Sequence, residues 1–392
     1  MPHYPYLILG GGMTAAAAVR GLRAVDPEAP IGLISADAAP PYKRPLLSKG
    51  LWQGKPLDKV WINLDDLGVE LVLGRTAQTL DAQRKRLTDD RGTVFTFDRL
   101  LLATGSTPRR FAWGGDEVIY FRTLDDYQRL RALTRHGQRI AVIGGGFIGS
   151  EIAAALASNR QEVVLIFPDA GIGERLFGTD LALFLNDYYR GRGVEVLAGE
   201  SVLGMERRGA QVALQTLRGQ ELLVDGVVAG IGAEPNTALA HAAGLAVDNG
   251  IVVDAGLRTS HPNIYAAGDV ANFYNPALGK RLRVEHEDNA MMMGKLAGEA
   301  MAGHPAPYDH LPFFYSDLFD LGYEAVGELD ARHMVVADWK EPFHEGVLYY
   351  LRDGRVCGVL LWNVWGQVDA ARQLIAERGP FRPADLQGRL PA

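Results

Sequence analysis

Three observations predict an α/β fold of parallel sheets with crossover helices. Short β-rich runs alternate with alanine- or leucine-rich stretches, a strand–glycine–helix unit occurs twice, and glycine is abundant. The 46 glycines in 392 residues exceed the usual share of about 7%. A chain of 392 residues predicts two or three domains at about 150 residues each. Forty Lys and Arg stand against 47 Asp and Glu, a net charge of -7, which disfavours broad nucleic-acid binding through a basic surface. The single cysteine, Cys357, excludes an intrachain disulfide, an all-cysteine zinc cage and paired-cysteine redox chemistry. No metal is therefore predicted, and a reducing, cytoplasmic compartment is expected. No run reaches the roughly 18–20 apolar residues of a membrane-spanning helix. The uncharged run 4–19 lacks a basic leader and reads as strand, turn and helix.

Taken in order, residues 6–9 form an apolar strand that enters Gly10-Gly11-Gly12-Met13-Thr14-Ala15, and a helix is expected over 14–22. Residues 31–35 read as the next strand, with Asp37 the nearest acid. A buried strand at 100–102 ends near Gly105. The first pattern then returns 134 residues after Gly10: strand 140–143 enters Gly144-Gly145-Gly146-Phe147-Ile148-Gly149, with a helix expected over 150–159. Strand 162–167 is followed by Pro168 and Asp169, and a last apolar strand, 264–267, ends at Gly268 and Asp269.

The glycines have separate tasks: the first allows the tight turn, the second lets a pyrophosphate approach the backbone, and the third packs helix on strand. Unpaired amides and the helix dipole complete an anion site. One such pattern is weak support, but two in the same context predict two Rossmann-like dinucleotide-binding domains. An acid at the end of the following strand accepts hydrogen bonds from ribose hydroxyls, a role that falls to Asp169 in the second copy. Its charge opposes a 2′-phosphate and favours NADH over NADPH, while Arg175 nearby pulls the other way.

The order of these motifs resembles the two-dinucleotide-binding flavoprotein reductases, the superfamily of glutathione reductase, across nearly the entire chain. Pro41-Tyr42-Lys43-Arg44-Pro45-Leu46-Leu47-Ser48-Lys49 stands where disulfide reductases place their cysteine pair, and it is similar to the ferredoxin-reductase and apoptosis-inducing-factor branch. Phe167-Pro168-Asp169, Arg283-Val284-Glu285-His286, Tyr315-Ser316-Asp317, Gly322-Tyr323-Glu324-Ala325 and Leu361-Trp362-Asn363 carry the same resemblance. It implies a glutathione-reductase-like architecture. An FAD-binding domain would occupy 1–112 and 236–311, an NAD-binding domain 113–235, and an α+β C-terminal interface domain 312–392.

For FAD, the resemblance implies contacts from Gly10, Gly11, Gly12, Met13 and Thr14, and from Asp37, Arg44, Lys49 and Ala77. It adds Arg122, Asp269, His286 and Tyr315. For the nicotinamide cofactor it implies Gly145, Gly146, Phe147, Ile148 and Glu151, then Asp169, Arg175 and Gly232, and finally Glu285, Glu324 and Asn363. Two departures stand out, because Ala36 and Tyr315 occupy places where relatives often carry an acid and a tryptophan.

Lys49, Glu151, His286 and Tyr315 are the candidate catalytic residues. A buried Lys49–Glu151 pair would stabilise reduced flavin and position nicotinamide, although a surface lysine and a first-turn glutamate are the plainer reading of each alone. A lone histidine such as His286 is more often a hydrogen-bonder than an acid–base catalyst, and positioning is the safer role. Phe313, Phe314 and Tyr315 suit either a flavin wall or core packing, and Trp362, Trp365 and Cys357 read as packing. Arg84-Lys85-Arg86, Lys280 with Arg281 and Arg283, or Lys43 with Arg44, are candidates to guide an acidic carrier.

The expected function is an FAD-dependent NADH oxidoreductase that passes electrons to an external acceptor, foremost a ferredoxin- or rubredoxin-type carrier. The alternatives are a redox sensor holding a long-lived FADH-NAD charge-transfer complex, with a homodimer as its signalling form, and an NADH oxidase or quinone reductase.

Overall fold

The computed structural model describes residues 1–134 and 137–391. They form two compact units, each assembled from separate stretches of chain: 1–43, 58–107 and 234–313 in the first, and 44–57, 108–233 and 314–392 in the second.

In the first unit, strand His3–Leu9 lies between Ile31–Ile34 and Val94–Leu102, parallel to both, and Val69–Val72 extends the sheet beyond Ile31–Ile34. The long strand Val94–Leu102 serves two partners. Its start pairs antiparallel with Arg86–Asp89, and its end pairs parallel with Ile264–Ala266, so that Leu100 faces Ile264 and Leu102 faces Ala266. These central strands read as unbroken apolar runs because both faces are covered. Leu7, Ile8, Leu33, Leu100 and Leu101 are inaccessible to solvent. Helices Met13–Val25 and Glu287–Met301 pack along each other. At their contact a Cβ on Gly21 would enter the carbonyl oxygen of Lys295, and one on Gly294 or Gly298 that of Thr14 or Ala18, so the two backbones approach closely.

The second unit repeats the parallel core in the order Val194–Ala198, Glu162–Phe167, Arg139–Ile143, Gly226–Ala229, Val118–Tyr120. A three-stranded antiparallel meander, Val202–Arg208, Gln211–Thr216 and Glu221–Val224, is packed with it around Val202, Val212, Leu214 and Val224. A five-stranded antiparallel sheet closes the chain in the order Phe313–Leu318, Leu321–Gly327, Arg355–Trp362, Glu345–Arg352, Met334–Glu341. Trp362 is fully buried there and stacks on Tyr323. Residues 44–57 belong to this unit because Trp52 packs edge-on against Tyr127 and under the Arg131 guanidinium. The Asn159 side-chain amide also donates to the Trp52 carbonyl.

Both glycine-turn helices begin earlier than the sequence suggests, at Met13 and Phe147. Gly12 and Gly146 hold extended backbone and act as N-caps, so the residues after them are already helical. The glycine that opens each turn is obligatory. Gly10 and Gly144 have φ of 127° and 120°, where a side chain is strained. A Cβ at Gly10 would enter the carbonyl oxygen of Ala103, and one at Gly144 that of Gly230.

Candidate functional site

Each glycine turn builds a cradle of the same design. Strand His3–Leu9 delivers Gly10 under the end of Ile31–Ile34, where its amide donates to the Ile34 carbonyl at 2.8 Å. In the second unit the Gly144 amide donates to the Ile166 carbonyl, also at 2.8 Å. Neither Gly12 nor Gly146 has a side chain to cap its helix, so the first-turn amides keep no intrahelical partner. The space where a Cβ of Gly12 or Gly146 would stand is open. Backbone donors, a helix dipole and room for close approach fit a pyrophosphate, and Met13, Thr14, Phe147 and Ile148 form the first turns.

The groups expected around the first cradle are partly engaged already. Asp37 accepts from the Tyr42 hydroxyl at 3.0 Å through one carboxylate oxygen and from the Ala39 amide at 3.0 Å through the other. Asp269 stands at the end of strand Ile264–Ala266, and its Oδ2 accepts from the Ser106 hydroxyl at 3.1 Å. Arg283 joins two predicted residues, donating to the Asp269 carbonyl at 3.1 Å and to the Glu285 carboxylate at 2.6 Å. Ala77 begins the outer strand Ala77–Asp81 and is half-buried. His286 is the N-cap residue of Glu287–Met301. The residue is half-buried. Burial, only partly opposed by Asp269 and Asp288, pushes its pKa down to about 4, so the ring is neutral near pH 7.

In the second unit Asp169 follows strand Glu162–Phe167, and its Oδ1 accepts from Arg175 Nη2 at 3.3 Å. Gly232 has φ of 98°, and its carbonyl accepts from the Arg109 amide. Arg44 opens the short turn Arg44–Leu47, and the Arg122 amide donates to Asp126 at the start of helix Leu124–Leu133. Glu324 and Asn363 are committed to backbone. The Glu324 carboxylate accepts from the Gly366 amide at 3.2 Å, and burial raises its pKa. Asn363 accepts from the Gly322 amide at 2.7 Å, donates to the His344 carbonyl at 2.8 Å, and has a φ of 51°.

A buried polar arrangement in the second unit centres on Glu151, in the second turn of helix Phe147–Ser158. Its side chain is 5% exposed, and Lys49 donates to Oε1 at 2.5 Å. Ser316 donates to the same oxygen and Ser48 to Oε2, each at 2.6 Å. Charged hydrogen bonds of this kind compensate the burial of a carboxylate. The Lys49 ammonium also lies 5.0 Å from the centre of the Tyr315 ring. Asp317, beside them, has its pKa raised by burial, with Glu151 adding to the rise and Lys49 opposing it. Phe314 is half-buried and packs edge-on against Phe147 and Tyr323. Lys49, Glu151 and Tyr315 are thus brought together as a group. Ser48 and Ser316 were not singled out from the sequence, although each adjoins a residue that was.

Of the basic clusters, Arg281 donates to the carbonyls of Asn272 and Val253, and Arg84 pairs with Asp81. With Arg283 held as above, these arginines brace local backbone and carboxylates.

The sequence profile of the pyridine nucleotide-disulphide oxidoreductase family matches residues 4–294, and that of the C-terminal region of mitochondrion-associated apoptosis-inducing factor matches 333–377. The ferredoxin–NAD(+) reductase component of the anthranilate 1,2-dioxygenase system of Burkholderia cepacia is 35% identical over 398 residues, covering 97% of this chain and 96% of that protein. Mitochondrial apoptosis-inducing factor 1 of Drosophila melanogaster is 30% identical over 97% of this chain, which spans only 64% of that relative's length. The crystal structure of the covalent putidaredoxin reductase–putidaredoxin complex contains a chain that superimposes with a TM-score of 0.91 at 30% identity, covering 98% of this chain and 95% of that one.

Two measurements test this geometry. Truncating either Lys49 or Glu151 strands the other as a buried charge at a cost of about 3–5 kcal/mol. In urea unfolding, Lys49→Met/Glu151→Leu is expected to lose clearly less than the sum of the single variants, and additive losses would show that the two side chains do not interact. The second measurement concerns His286. Between pH 6.5 and about 4 the unfolded chain binds the imidazole proton and the folded chain does not, so stability falls as pH falls through that window. NMR titration is expected to find the His286 ring neutral down to pH 5, and a midpoint near 6.5 would contradict its burial.

Proposed function

The chain belongs to the pyridine nucleotide-disulphide oxidoreductase family, and from that membership we propose that it is an FAD-dependent NADH oxidoreductase delivering electrons to a ferredoxin-type carrier. The observation that carries this reading is the pair of uncapped helix N-termini behind Gly10 and Gly144, two pyrophosphate cradles in one chain. Similarity to ferredoxin reductases of dioxygenase and putidaredoxin systems supports the choice of acceptor. Reduction of a disulfide substrate through a cysteine pair is excluded by composition, since Cys357 is the only cysteine and lies buried in the C-terminal sheet. Among the described residues no helix is long and apolar enough to cross a membrane.

In this reading 1–112 and 236–311 hold FAD, 113–235 hold the nicotinamide dinucleotide, and 312–392 form the interface domain. When bound, the nicotinamide supplies a hydride and the flavin passes electrons on, singly or in pairs. The residues supply binding and alignment. Amides of the first turns of Met13–Val25 and Phe147–Ser158 hold the pyrophosphates. Asp269 and Asp37 anchor polar groups of the flavin nucleotide, and neutral His286 donates or accepts a hydrogen bond without adding charge. Glu151, fixed by three donors, orients the nicotinamide end together with Lys49 and Tyr315. Asp169 receives the adenosine ribose hydroxyls and favours NADH, because its carboxylate repels a 2′-phosphate and the neighbouring guanidinium of Arg175 is already paired with it.

The match of 333–377 to apoptosis-inducing factor favours a second reading, a redox sensor whose reduced form persists and dimerises. Anaerobic reduction by NADH followed by a panel of carriers separates the two. The oxidoreductase reading predicts reoxidation by a ferredoxin or rubredoxin faster than by oxygen or quinone, whereas a reduced form that no carrier reoxidises, with NADH-dependent dimerisation, would replace it with the sensor. For the dinucleotide preference, Asp169→Ala is expected to narrow the ratio of kcat/KM for NADH over NADPH by about tenfold, or 1.4 kcal/mol. An unchanged ratio would remove Asp169 from the ribose site.

A further inference from the structure

The C-terminal sheet brings together three metal-ligating side chains that the proposed reaction does not use. Glu328 follows strand Leu321–Gly327, His333 precedes strand Met334–Glu341, and Cys357 lies in strand Arg355–Trp362. The Glu328 amide donates to the Cys357 carbonyl at 2.8 Å, which fixes the two backbones side by side. One carboxylate oxygen, one imidazole nitrogen and the thiol sulfur all fall within 4.8 Å of one another.

His333 Nε2 supplies an independent pointer. It is buried from solvent and has no hydrogen-bond partner among the described residues. Its nearest opposite charge, Glu328 Oε1, is 4.0 Å away, beyond hydrogen-bond reach. A buried ring nitrogen left in that state is costly, and a cation beside the imidazole would supply its missing partner. The other oxygen, Glu328 Oε2, accepts from Arg352 Nη1 at 3.0 Å, a contact that orients the carboxylate as outer partners of metal ligands do.

We propose that Glu328, His333 and Cys357 bind a divalent cation of the zinc class, pinning the 328–333 turn to the strand that carries Cys357. A sulfur, nitrogen and oxygen set suits zinc, while calcium and magnesium want oxygen alone. Tetrahedral bonds of about 2.0–2.3 Å place donors roughly 3.3–3.8 Å apart, so the cluster closes by about 1 Å. That movement belongs to the turn, since Cys357 is held in the sheet and its Sγ lies 3.3 Å from the Tyr350 carbonyl. The partly exposed side chains of His333 and Glu328, at 21% and 22%, leave a path from solvent, and water takes the fourth position. On binding, the Cys357 S–H bond breaks, a sulfur–metal bond forms, and the proton passes to solvent with no change of oxidation state. Carboxylate and thiolate together neutralise the ion. No local pattern marks such a site, because its ligands are three different residue types, joined only by the fold.

The single cysteine makes the test specific, because any thiolate–metal band must come from Cys357. Cobalt(II) is titrated into the full-length, tag-free flavin-loaded protein and followed by difference absorption. The expected result is a thiolate-to-cobalt charge-transfer band saturating at one ion per chain and reversed by zinc. Cys357→Ser is expected to abolish the band, and His333→Ala and Glu328→Gln each to weaken cobalt binding about tenfold or more. Zinc is further expected to raise the thermal midpoint of the native protein and leave that of His333→Ala unmoved. Absence of the band at saturating cobalt would overturn the proposal, as would a band of unchanged affinity in both the His333→Ala and Glu328→Gln variants, with folding of each confirmed by its metal-free thermal midpoint.

Discussion

The two proposed dinucleotide cradles depend on leaving helix N-termini unsatisfied. Gly12 and Gly146 offer no side chain to the first-turn amides of Met13–Val25 and Phe147–Ser158, although Ser, Thr or Asp there would stabilise each helix by about a few tenths of a kcal/mol. The chain forgoes that stabilisation twice. The return is two concentrated anion sites, each at the carboxyl edge of a parallel sheet, where strand ends leave backbone free for a ligand.

Around those sites the structure fixes charges by pairing them. The Glu151 carboxylate is the clearest case: three donors from chain segments as far apart as Ser48 and Ser316 converge on it. Such a group keeps its orientation because every alternative leaves a buried charge uncompensated. The Asp269 carboxylate accepts from the Ser106 hydroxyl, and Arg283 bridges the Asp269 carbonyl and the Glu285 carboxylate. His286 is handled in the opposite way, with burial holding its ring neutral.

Much of the architecture was legible because the signals were local. Strand–glycine–helix units announce themselves within a dozen residues, and unbroken apolar runs such as 100–102 and 140–143 mark strands covered on both faces. The pairing of Lys49 with Glu151 was also within reach, through resemblance. What stayed hidden was nonlocal. Ser48 and Ser316 look like any loop or strand serine until the fold places them against Glu151. Nothing in the order of residues shows that Asn363 and Glu324 spend hydrogen bonds on the amides of Gly322 and Gly366. The helix starts were misjudged by one and three residues because an N-cap glycine reads as part of the turn before it.

The central claim is that one chain holds two dinucleotides at separate sites, and equilibrium binding to the flavin-loaded protein tests it most directly. ADP-ribose, which carries the pyrophosphate and adenosine of the nicotinamide cofactor, should bind with a stoichiometry of one per chain and leave the flavin in place. Release of FAD in proportion to bound ADP-ribose would mean that the two compete for one cradle, and would contradict the account.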